Sequence, residues 1–75
     1  MERERYSYSV MCKQVVLNVI EEDGTTKERC YHKGILRLYT DYPRLEFKNE
    51  AGFVFVYPMD IVRTYSYLPV PKYEV

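Results

Sequence analysis

The sequence predicts an all-β fold, a small antiparallel barrel of five to six strands, on three observations. No stretch of useful length repeats its apolar residues at the 3.6-residue period of a helix. Short runs rich in Val, Ile, Tyr and Phe recur with period-two alternation. Between them lie turn signals, at Asp23-Gly24, Thr40-Asp41-Tyr42-Pro43 and Asn49-Glu50-Ala51-Gly52, at the short spacing of antiparallel hairpins.

At 75 residues the chain has room for one domain, and a chain this small buries roughly 60–65% of the surface its unfolded form exposes. One core of that size rarely supplies more than about 3–5 kcal/mol of net stability, so a metal, a disulfide or a second subunit often assists. Residues 1–68 read as the domain. Residues 69–75 read as an extended tail, because Pro69 and Pro71 cannot donate to a ladder.

Taken in order, Tyr6, Tyr8, Val10 and Cys12 share one parity, and Val15, Leu17 and Val19 share the other. A one-residue slip near Lys13-Gln14 puts both sets on one face, and a bulge or break there bends a long strand around a small barrel. Asp23-Gly24 suits a two-residue type I′ turn, which needs positive φ at both positions. With those two residues as the loop, Leu17 faces Cys30 and Val15 faces His32. Val15, Leu17, Val19, Cys30 and His32 then form one core face. After Lys33-Gly34, residues 35–40 form a third strand with Leu36 and Leu38 together. In residues 44–48, Leu45 and Phe47 point inward, and Arg44, Glu46 and Lys48 point outward.

Residues 53–57 are apolar on both faces. Phe53, Phe55 and Tyr57 are expected to fill the barrel, so Val54 and Val56 need a cover of their own. Burial within the domain is the simpler expectation, and a crossing strand or a partner chain is the other.

The stretch Tyr57-Pro58-Met59-Asp60-Ile61-Val62 resembles the corner near the end of Src-homology-3 domains. There, an aromatic-Pro pair opens a 3₁₀ turn and an apolar residue starts the last strand. The resemblance covers those six positions alone and implies an SH3-like barrel as architecture. The aromatic-acidic opening and the tryptophan pair of that family's peptide groove are missing, and the chain has no Trp. Its proline-rich ligand is therefore not implied, since a fold does not carry function.

Eleven basic and eleven acidic residues balance, and the pI is near 6.6, so no global field draws in a phosphate backbone. The opening MERERY alternates acid and base and leads into no apolar run, which argues against a secretory signal; with no run of membrane-spanning length, a cytoplasmic protein without a membrane partner is expected. Cys12, Cys30 and His32 invite a metal site, but the expected register sets Cys12 opposite Ile35, far along the ladder from Cys30. Reduced cysteines acting as small hydrophobes, and no cofactor, are the expectation. His32 has no nucleophile and orienting acid at a recognisable spacing, and the three glycines are isolated, so catalysis and phosphate cradling have little support.

Tyrosine is the unusual component: nine, against three Phe. Strand propensity accounts for most of them, Tyr31 and Tyr39 included. It accounts less easily for Tyr6, Tyr8, Tyr65 and Tyr67 if the first and last strands lie side by side. With Val62 and Leu68 facing inward, Arg63, Tyr65 and Tyr67 form an outward stripe of the residue types that anchor interfaces. The expected function is a non-catalytic protein-binding module, an adaptor, inhibitor or regulator, docking through Tyr6, Tyr8, Arg63, Tyr65 and Tyr67 or through a strand edge. A homodimer is its simplest version. A compact chain of this style also suits a viral or phage accessory protein, although no residue pattern encodes such an origin. The alternative is a single-stranded nucleic-acid binder with stacking tyrosines and phosphate contacts from Arg3, Arg5, Arg63 and Lys72, against which the balanced charge counts.

Overall fold

The computed structural model describes residues 6–71, with side chains from Tyr8 onward. It is all-β: β1 (Tyr6–Ile20), β2 (Thr26–Tyr39), β3 (Arg44–Asn49), β4 (Val54–Pro58) and β5 (Val62–Pro69). A 3₁₀ turn, Met59–Ile61, separates the last two strands, where the aromatic-Pro corner was expected. Every pairing is antiparallel and the strand order is β4-β3-β2-β1-β5. Phe55 and Tyr57 of β4 pack on the same core as Val62 and Tyr67 of β5, so the sheet wraps around it. No ladder joins β4 to β5, so the expected closed barrel is here an open, curled sheet.

The first hairpin departs from the expected register. Gly24 N–H donates to Glu21 O at 2.9 Å and Glu21 N–H to Thr25 O at 2.7 Å, so the loop holds Glu22, Asp23 and Gly24. Gly24 takes φ 89° while Asp23 keeps negative φ, the pattern of a type I turn followed by a left-handed bulge residue. Asp23 instead accepts from Thr25 N–H at 3.0 Å and Thr25 Oγ1 at 2.7 Å. The extra loop residue moves the ladder by one, giving Leu17↔Arg29, Val16↔Cys30, Val15↔Tyr31 and Gln14↔His32. Cys30 and His32 are therefore exposed on the outer face, and Tyr31 takes the core side expected of them.

The parity switch expected in β1 is present. Against β5, Lys13 is the extra residue between Cys12↔Pro69 and Gln14↔Leu68. β2 changes face at the same level, with Tyr31 packed inward on one side of the bend and Gly34 and Leu36 buried on the other. Lys33 between them has φ 21°. Residues 35–39 thus belong to a bent β2, not to a separate strand. Gly34 makes the bend possible: a Cβ there would lie 2.3 Å from Lys48 O and 2.4 Å from the Phe47 ring.

Cys12, Val15, Leu17, Val19, Leu36, Leu45 and Phe47 form the buried core. Tyr31 stacks on Phe47 at 5.1 Å and meets Phe55 at 4.8 Å, and its hydroxyl contacts that of Tyr57. Tyr39 is also buried, under Arg44, whose Cζ lies 3.8 Å from the ring centroid. Tyr31 and Tyr39 are thus packed side chains, not surface residues placed by propensity.

Candidate binding surface

β5 is one end of the sheet, and β1 pairs along its inner edge from Val62 to Pro69. Directly opposed residues share a face, so Tyr67 lies beside Val15 and Tyr65 beside Leu17, both on the core side. Thr64 and Ser66, opposite Asn18 and Val16, face outward, and Asn18 Nδ2 donates to Thr64 Oγ1 at 2.9 Å. Between Asn18↔Thr64 and Val19↔Val62, Arg63 is left as an extra residue. That bulge shifts the phase of the strand. The expected outward Arg63-Tyr65-Tyr67 stripe therefore does not form: Val62 packs inward as expected, but Tyr67 does too, and Leu68 is 56% exposed.

The expected site residues nevertheless converge in part. The Tyr8 and Tyr67 hydroxyls are 2.5 Å apart and their rings 6.1 Å apart, tilted at 51°. Tyr65 follows along the same face of β5, 37% exposed. Arg63 is exposed in its bulge. Tyr6 pairs with Tyr39 through its backbone, while its side chain lies outside the described residues.

The ladder also fixes where the main-chain groups point. Glu21 and Thr25 are hydrogen-bonded across the hairpin, so by alternation Val19, Leu17 and Val15 bond to β2, while Asn18 and Val16 bond to Thr64 and Ser66. Tyr65 and Tyr67 accordingly project N–H and C=O off the outer edge of β5, which no other described strand pairs. The sequence expects these two tyrosines on an outward face, whereas they share the core-side face and the outer edge. The bulge at Arg63 hides this, since no glycine or proline marks it.

The hydrogen bond to Tyr8, and secondarily burial, pushes the Tyr67 hydroxyl up to about 12. Burial, then the bond to Tyr31, raises Tyr57 above the ordinary tyrosine value. These phenols are neutral around pH 7 and act as hydrogen-bonding groups. Cys12 is buried and Cys30 exposed on the opposite face, both as free thiols, and among the described residues no three His, Cys, Asp or Glu side chains group to hold a metal. No helix among the described residues is long and apolar enough to cross a membrane. No family model, curated protein or solved structure matches the chain.

Proposed function

We propose that this chain is a non-catalytic protein-binding module, an adaptor, inhibitor or regulator, that accepts an extended segment of a protein partner along β5. The observation behind this reading is the unpaired β5 edge, on which the backbone groups of Tyr65 and Tyr67 project beside the Tyr8–Tyr67 pair. Strand addition takes affinity from main-chain hydrogen bonds and specificity from alternate side chains. Here the tyrosine rings supply large, rigid contact area with a polar tip. Arg63 in its bulge is a flanking charged contact. A cytoplasmic setting suits the exposed thiol of Cys30, which stays reduced there.

Affinity capture tests the reading, with wild-type, Tyr65→Pro and Val56→Lys chains as bait and mass spectrometry of what is retained. Proline removes the outward donor of Tyr65 at an edge position where the sheet tolerates it. A partner held by wild type and Val56→Lys and lost from Tyr65→Pro supports docking at β5, and one held equally by Tyr65→Pro contradicts it. Fluorescent oligonucleotides titrated at low and high salt cover the nucleic-acid alternative: salt-sensitive binding by the monomer would replace the protein partner with a single strand.

A further inference from the structure

β4 is the other end of the sheet, and no charged residue lies between Ala51 and Met59. Soluble proteins ordinarily protect such an edge with charges, bulges or proline, and Pro58 is the only such device here. Phe53, Val54 and Val56 are 65%, 49% and 52% exposed, so among the described residues nothing supplies the cover expected for both valines. Asn49 N–H donates to Phe53 O at 3.0 Å. By alternation Phe55 and Tyr57 then bond to Phe47 and Leu45, and Val54 and Val56 project their N–H and C=O off the edge. Pro58, next in that series, has no N–H to project.

We propose that β4 is a homodimer edge: a second copy of the chain pairs with it antiparallel about a two-fold axis at Phe55, setting Val54 opposite the partner's Val56. This extends the protein-binding reading to self-association, on the edge opposite to β5. On β3, Lys48 lies beside Val54 and Glu46 beside Val56. In the proposed register each cross-strand row runs Lys48, Val54, the partner's Val56, the partner's Glu46, and ends in unlike charges about 14 Å apart at the usual strand spacing.

The neighbouring registers are worse. Pairing Val56 with the partner's Val56 puts Glu46 at both ends of a row and sets Val54 opposite a proline without a donor. Pairing Val54 with the partner's Val54 puts Lys48 at both ends and sets Val56 opposite Gly52 of the loop. Salt screens charges at this distance, so they select the register while the main-chain bonds and apolar side chains hold the pair. In the selected register the outward groups of Val54 and Val56 are all paired. The valines of both chains form one outer patch, the Phe55 side chains face each other on the inner side, and Phe53 comes opposite the partner's Tyr57.

Sedimentation velocity on the full chain, from low micromolar to near-millimolar concentration, tests this. Wild type and Tyr65→Ser are expected to move from monomer to dimer, and Val56→Lys to remain monomeric with an unchanged circular-dichroism spectrum. At low salt Lys48→Glu, which makes both rows end in like charges, weakens the dimer several-fold. A wild-type chain that stays monomeric throughout, or a Val56→Lys chain that dimerises like wild type, overturns the proposal. Either result leaves docking at β5, which is read by Tyr65→Pro capture, untouched.

Discussion

Gly34 is the residue on which the bend most directly depends, because the Phe47 ring and Lys48 O occupy the space its Cβ would need. Backbone oxygen cannot move aside as a flexible side chain can. Gly34→Ala is expected to cost about 2 kcal/mol or more by overpacking, read as a lower urea midpoint. Phe47 itself is fully buried, stacked against Tyr31. Phe47→Ala is expected to cost roughly 3–5 kcal/mol, comparable to the whole stability of a domain this size, so circular dichroism should report a largely unfolded chain. Tyr67 allows a pH test. Its folded-state value of about 12 lies above the ordinary 10.0, so on an alkaline titration the unfolded chain releases this proton first. Its contribution is complete below pH 10 and is lost as pH climbs from 10 toward 12. Tyr8→Phe removes the hydroxyl that raises Tyr67, and an ultraviolet titration should show one tyrosine ionising earlier. With eight of the nine phenols left, a late-ionising tyrosine that stays where it is in wild type would contradict the Tyr8–Tyr67 pair.

Among the elements, the first hairpin shows how far the sequence can be read. Asp23-Gly24 marks the turn, but a two-residue and a three-residue loop share that dipeptide, and one residue decides which face Cys30, Tyr31 and His32 take. Thr25 tips the choice by binding the Asp23 side chain, which leaves Gly24 as the left-handed position. Gly24→Val is expected to cost about 1–2 kcal/mol from its left-handed φ alone, with nothing nearby for the side chain to strike. A urea midpoint equal to wild type would argue against the left-handed φ of Gly24. By contrast β3 is legible throughout: Leu45 and Phe47 are fully buried, and Arg44 and Glu46 form an outward ion pair at 2.9 Å. Clean alternation between two turns leaves one register. β5 lies between these cases. Its existence follows from the sequence, whereas its place beside β1 and the bulge at Arg63 that turns Tyr65 and Tyr67 inward come from the pairing itself, a tertiary effect without a local signature.

For the whole molecule, the sheet's ends matter more than its middle. The fully buried core residues come from β1, β2 and β3, while β4 and β5, among the described residues, each pair on one side only. Their outward groups come from Val54 and Val56 at one end and from Tyr65 and Tyr67 at the other. The all-β class and the 3₁₀ turn at Met59–Ile61 are both readable, because alternation and an aromatic-Pro pair are local signals. Closure depends on how two strands at opposite ends of the sheet meet, and no local pattern reports that. Residue-resolved amide hydrogen exchange on dilute protein tests the open sheet most directly. The amides of Tyr65, Tyr67, Val54 and Val56 should exchange rapidly while their neighbours Ser66, Phe55 and Tyr57 are protected; protection of Tyr65 and Tyr67 equal to that of Ser66 would mean the edges are already paired and would contradict the account.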